Sequence, residues 1–132
     1  MRGEQIMTTK SNALNTGAII AALVLQTDRK IAKNLIEFLS GELVELKEKG
    51  INISGVSIKN VPDGYYSEDI EHFIGNLLMV EYAKQGNFFN INEEGKDICK
   101  KLINEELEND AKRESMQKLL SILNIPTIPV VK

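Results

Sequence analysis

The chain has 132 residues, 42% of them hydrophobic and 27% charged, with a formal net charge of −3. That is ordinary globular composition at the usual size of one domain, so wholesale disorder is excluded. The single cysteine, Cys99, excludes an internal disulfide and fits a reducing compartment, which makes the cytoplasm the expected location. The longest apolar run, residues 18–25, is far short of the roughly 20 residues that span a bilayer, and no membrane association is expected.

Residues 1–10 carry Arg2, Glu4 and Lys10 with little apolar content, so they read as a frayed start without an export signal, and either Met1 or Met7 could begin the chain. A single domain is expected over residues 11–123. Ala18, Ile19, Ile20, Leu23 and Val24 make a helix apolar nearly all round, hence central, with Ser11, Asn12 or Asn15 as N-cap. Thr27 or Asp28 would cap a second helix in which Ile31, Leu35, Phe38, Leu39, Leu43 and Leu46 recur at helical spacing and Gly50 supplies the left-handed stop.

Residues 51–59 are β-branched, with alternation slipping at Ser54 and Gly55, which predicts a strand with a bulge. Val61, Pro62, Asp63 and Gly64 then reverse the chain. Ser67 opens a helix with Glu68 and Asp69 at its positive end, and Ile70, Phe73, Ile74, Leu77 and Leu78 form its apolar stripe. A hairpin follows, with strands over 79–84 and 88–91 around a turn at Gln85, Gly86 and Asn87. Asn92 caps a long amphipathic helix bearing Ile98, Cys99, Leu102, Ile103 and Leu107. The stripe loses phase over 108–115 and resumes at Met116, which predicts a bend or two separate helices. Residues 124–132 contain Pro126 and Pro129 and read as an extended apolar strap. The expected class is mainly α with a small antiparallel sheet, α+β.

From Ser67 to Leu107 the order is helix, strand, tight turn, strand, helix, with Gly95 soon after the second strand in the stretch 91–96. This resembles the winged-helix proteins. The resemblance implies that the first helix of the unit is a recognition helix, the hairpin a wing and the closing helix a dimer interface. One departure is that residues 54–66 read as strand and turn, where the family places a compact helix.

A DNA-reading surface needs lysine and arginine against phosphates. Lys59, Lys84, Lys96, Lys100 and Lys101 are the candidates, but over 51–105 five lysines face nine carboxylates, a balance of five minus nine, or minus four. The entry of the would-be recognition helix carries Glu68, Asp69 and Glu71, where phosphates and base edges would lie. A dimeric DNA-binding regulator is therefore the second reading, and nucleic acid a disfavoured partner. The first is a non-enzymatic protein-interaction subunit or homodimer whose contact surface is formed by Met116, Leu119, Leu120, Leu123, Ile125, Ile128 and Val130. The helix order, the Tyr65-Tyr66-Ser67 helix entry and the short wing also resemble small accessory subunits of multi-protein ATPase assemblies, including bacterial three-component phage-defence systems. That resemblance implies an ATPase and an effector as partners.

Catalytic machinery is not expected. His72 is the only histidine and sits on a helix flank; Cys99 falls on an apolar side; no phosphate-cradling glycine loop, zinc or calcium pattern is present. No cofactor or metal is expected. The neighbouring acids Glu93 and Glu94, and Glu105 and Glu106, read as solvated faces.

Overall fold

The computed structural model describes residues 13–27 and 33–125. The first helix among the described residues, α1 (Thr16–Thr27), is apolar on every side, and each of residues 18–24 is at most 1% exposed. Asn15 stands at its start, with its carbonyl accepting from the backbone N–H groups of Ala18 and Ile19 at 3.1 Å each. Thr27, expected to cap the second helix, instead ends the first. Its hydroxyl donates to the Leu23 carbonyl at 2.8 Å, a back-bond within the same helix. The alternative caps Ser11, Asn12 and Asp28, the apolar Ile31 and the leader 1–10 lie outside the described residues.

The second helix, α2 (Leu35–Glu48), buries Leu35, Leu39, Leu43 and Leu46 and is followed by Gly50 at φ 96°, in the left-handed region that glycine enters without a Cβ clash. The strand expected over 51–59 does not form. Ile51, Ile53 and Val56 are buried, but the backbone here bonds elsewhere. The Asn52 carbonyl accepts from Leu14, Ser54 N–H donates to the Asn52 side chain, and Val56 N–H turns back to the Ile53 carbonyl. β-branched content met the demand for burial, while local side-chain acceptors took the place of a ladder.

Pairing begins only at β1 (Lys59–Val61), which runs antiparallel to β2 (Gly64–Tyr66) with Lys59 opposite Tyr66 and Pro62 and Asp63 in the loop. Next is α3 (Glu68–Met79), capped by Ser67 as its sequence predicts, with Ile70 N–H donating to the serine oxygen at 3.3 Å. Met79 closes this helix rather than opening a strand. The hairpin is shorter than expected, β3 (Ala83–Gln85) against β4 (Phe89–Ile91), with Ala83 opposite Ile91.

The last two helices are α4 (Glu93–Leu107) and α5 (Arg113–Ile122), separate rather than one bent rod. Asn92 caps α4 by accepting from Gly95 N–H at 2.9 Å. Between them the Asn109 side chain accepts from Ala111 N–H, and Arg113 Nε donates to the Leu107 carbonyl at 2.7 Å. That contact satisfies an otherwise orphaned carbonyl at the end of α4.

The fold is thus mainly helical, α+β, with two separate two-stranded antiparallel sheets among the described residues. Helix α1 packs chiefly on α4, while α2 lies on β2 and α3. Buried side chains from Leu14 to Leu123 form one hydrophobic core.

Met116, Leu119, Leu120 and Leu123 belong to that core, at 0%, 0%, 2% and 8% exposure. They were expected to meet a partner; the return of α5 against α4 places them in the chain's own core instead. Ile125 is half-buried against the same core, with its N–H bonded to the Leu120 carbonyl at 2.8 Å. Ile128 and Val130 lie outside the described residues.

Candidate functional site

The entry of α3 is fastened on two sides. Ser40 of α2 is fully buried; its hydroxyl donates to the Ile36 carbonyl at 2.6 Å and accepts from Ser67 N–H at 2.9 Å. One hydroxyl therefore links the middle of α2 to the cap of α3, both ends satisfied out of water. On the other side Asp69 accepts from Ser57 N–H at 2.8 Å and holds the irregular segment before β1.

The other two carboxylates of the helix entry turn towards the β1–β2 hairpin. Glu68 pairs with Lys59 at 3.5 Å, both side chains 61% exposed, and the same ammonium lies 5.7 Å from the centroid of the Tyr66 ring. Tyr66 is hydrogen-bonded to Glu71 and lies in the fields of Glu71, Glu37 and Glu68, which together with desolvation push its phenol from 10.0 up to about 12. Each of Glu68, Asp69 and Glu71 thus has a specific partner, beyond the helix dipole that their position predicts. Ser57, Ile58, Lys59, Tyr66 and Glu68 line a cleft of about 130 Å³ beside them. Phe38 on α2 and Tyr65 on β2 stay 49% and 37% exposed.

The five lysines considered for phosphate contact are dispersed over three elements. Lys59 is engaged by Glu68 on β1, Lys84 is exposed on β3, Lys96 is half-buried on α4, and Lys100 and Lys101 are exposed on α4. Helix α3 itself carries three acidic residues and no lysine or arginine.

His72 is exposed on α3. Burial pushes the Cys99 thiol up to about 12, which leaves it protonated and unreactive at neutral pH. Among the described residues no group of three His, Cys, Asp or Glu side chains converges as a metal site, and no helix is long and apolar enough to cross a membrane.

One pair of neighbouring acids divides. Glu105 is exposed, as are Glu93 and Glu94, but Glu106 is 2% exposed. Its carboxylate accepts from Asn15 N–H at 3.1 Å and Asn15 Nδ2 at 2.8 Å, and Lys112 Nζ stands 3.6 Å away. The expectation of a solvated face fails here because the start of α1 needs an acceptor. Neither this clasp nor the buried Ser40 hydroxyl carries a sequence signal, since each joins residues remote along the chain. No protein-family model, curated protein or solved structure matches the chain.

Proposed function

We propose that this chain is a non-enzymatic, winged-helix-like protein-interaction subunit of a multi-protein complex, with its contact face on α2, the β1–β2 hairpin and the entry of α3. The observation that carries this reading is the pair Phe38 and Tyr65. Two large aromatic side chains stay 49% and 37% exposed on elements whose polar neighbours are already ordered. Aromatic side chains on a rigid support are the usual anchors of protein interfaces.

The order α3, β3, β4, α4 supports the winged-helix likeness, with the β3–β4 hairpin as wing. The departure is the β1–β2 hairpin, which stands where a winged helix has its extra helix. An α3 without lysine or arginine argues for protein rather than DNA.

The reading is tested by purifying the tagged full chain from its native cells beside the double variant Phe38→Asp, Tyr65→Asp. A stoichiometric protein that accompanies the wild type and is absent from the folded variant is the expected outcome. Retention of the same protein by the variant would remove this face from the proposal. Titration of a labelled random DNA duplex is the companion experiment; salt-sensitive binding reduced by Lys59→Ala and Lys84→Ala would favour a dimeric DNA-binding regulator instead.

A further inference from the structure

We infer that the partner of this face presents an arginine-bearing basic segment, whose guanidinium settles on the aromatic and carboxylate ground around Tyr66. The inference rests on the protein-contact reading and names the chemistry of the partner.

The chain's own Lys59 displays what this ground accepts. Its ammonium sits over the Tyr66 ring and beside Glu68 at once. That pair is solvent-exposed at both ends, so it is worth little and exchanges readily for an incoming cation. The Glu71 and Glu37 carboxylates also act on the Tyr66 hydroxyl.

Metal ions are not the occupant argued for, because among the described residues no three ligating side chains converge. Nucleic acid is repelled by the same carboxylates. A cleft of about 130 Å³ is well below the several hundred Å³ of a typical small-molecule site, but it admits the head of one side chain. A guanidinium satisfies the remaining demands, since its plane stacks on aromatic faces while its fork of N–H groups meets carboxylates. Phe38 and Tyr65 then offer apolar ground to the residues that flank it.

The test is fluorescence polarisation of a fluorescein-labelled octapeptide of alternating arginine and glycine, titrated with the full chain at low salt. Its control replaces each arginine with citrulline, which keeps the shape and removes the charge. The arginine peptide is expected to bind and the citrulline peptide not. The double variant Glu37→Gln, Glu71→Gln should weaken binding by about tenfold. The variant Glu93→Gln, Glu94→Gln, with the same loss of charge on α4, should stay within about twofold.

Absence of binding, equal binding of both peptides, or equal weakening by both variants overturns the inference. The last outcome would mean only diffuse attraction to an acidic protein. Should the peptide arm fail while Phe38→Asp, Tyr65→Asp still releases the co-purifying protein, the arginine chemistry is wrong and the face stands. Should both fail, the face falls with it.

Discussion

Glu106 holds Asn15 at two points, through the backbone N–H at 3.1 Å and the side-chain amide at 2.8 Å, across 91 residues of sequence. A carboxylate 2% exposed is tolerated there because both donors point at it and Lys112 completes the site, its Nζ also reaching Asn15 Oδ1 at 3.3 Å. Glu106→Ala removes the acceptor of both bonds and is expected to cost about 2–3 kcal/mol. Lys112→Ala should cost less, about 1–2 kcal/mol, because the buried carboxylate loses its counter-charge but keeps both Asn15 donors. Urea denaturation with an unchanged slope would measure both, and equal losses would show that the ion pair, not the hydrogen bonds, sustains the clasp.

Gly95 lies at a close crossing. A Cβ there would stand 2.5 Å from Ile91 Cγ2 and 2.7 Å from the Tyr82 carbonyl oxygen. Gly95→Ala should therefore destabilise by about 1–3 kcal/mol, against the gain that alanine brings to an unhindered helix. Gly75→Ala, on α3 with nothing within 4 Å, is the matched control and should be neutral or stabilising. Thermal melts of the two variants decide; a raised midpoint for Gly95→Ala would mean that α4 can retreat from Tyr82.

Ser40→Ala leaves the buried Ser67 N–H without its acceptor, at an expected cost of about 1–3 kcal/mol. The cap itself, Ser67→Ala, should cost about 1 kcal/mol. Since the two bonds share Ser67, the double variant should lose less than the sum. Strict additivity in a denaturation cycle would deny the linkage between α2 and α3.

The buried Cys99 thiol predicts an alkaline dependence of stability. Its folded value, about 12, lies above the ordinary 9.0. Folding therefore favours the protonated thiol, and the contribution is complete below pH 9 and lost as pH rises from there towards 12. Cys99→Ala should show a flatter decline across that window. An aromatic disulfide reagent should modify wild-type Cys99 only on unfolding; rapid modification of the native chain would contradict its burial.

Met116→Ala should act on folding. A side chain with 0% exposure in the core is worth about 2–5 kcal/mol when truncated to alanine. Denaturation should register that loss, and a normally stable variant would return Met116 to the surface.

These cases also mark what the amino-acid order conveys. Ser67 and Asn92 announce their helices because a cap and its target N–H are three residues apart, and the break after Leu107 is visible as a lost stripe. Residues 51–58 mislead because β-branched side chains record the need for burial, whereas a strand requires a neighbour with free backbone groups. The apolar face of α5 shows that Met116 and Leu119 must be covered without showing by what. The Tyr66 environment was hidden for a similar reason, since Glu37, Glu68 and Glu71 come from two helices that only the folded hairpin brings together.

The clasp between Asn15 and Glu106 also orders events during synthesis. Helix α1 leaves the ribosome before the helix it chiefly packs against, which follows 91 residues behind it at the clasp. At ordinary translation rates that interval is roughly 5–20 s. Throughout it, a segment that is apolar on every side lacks its anchor and its chief neighbour, so its burial is completed only once α4 has been made.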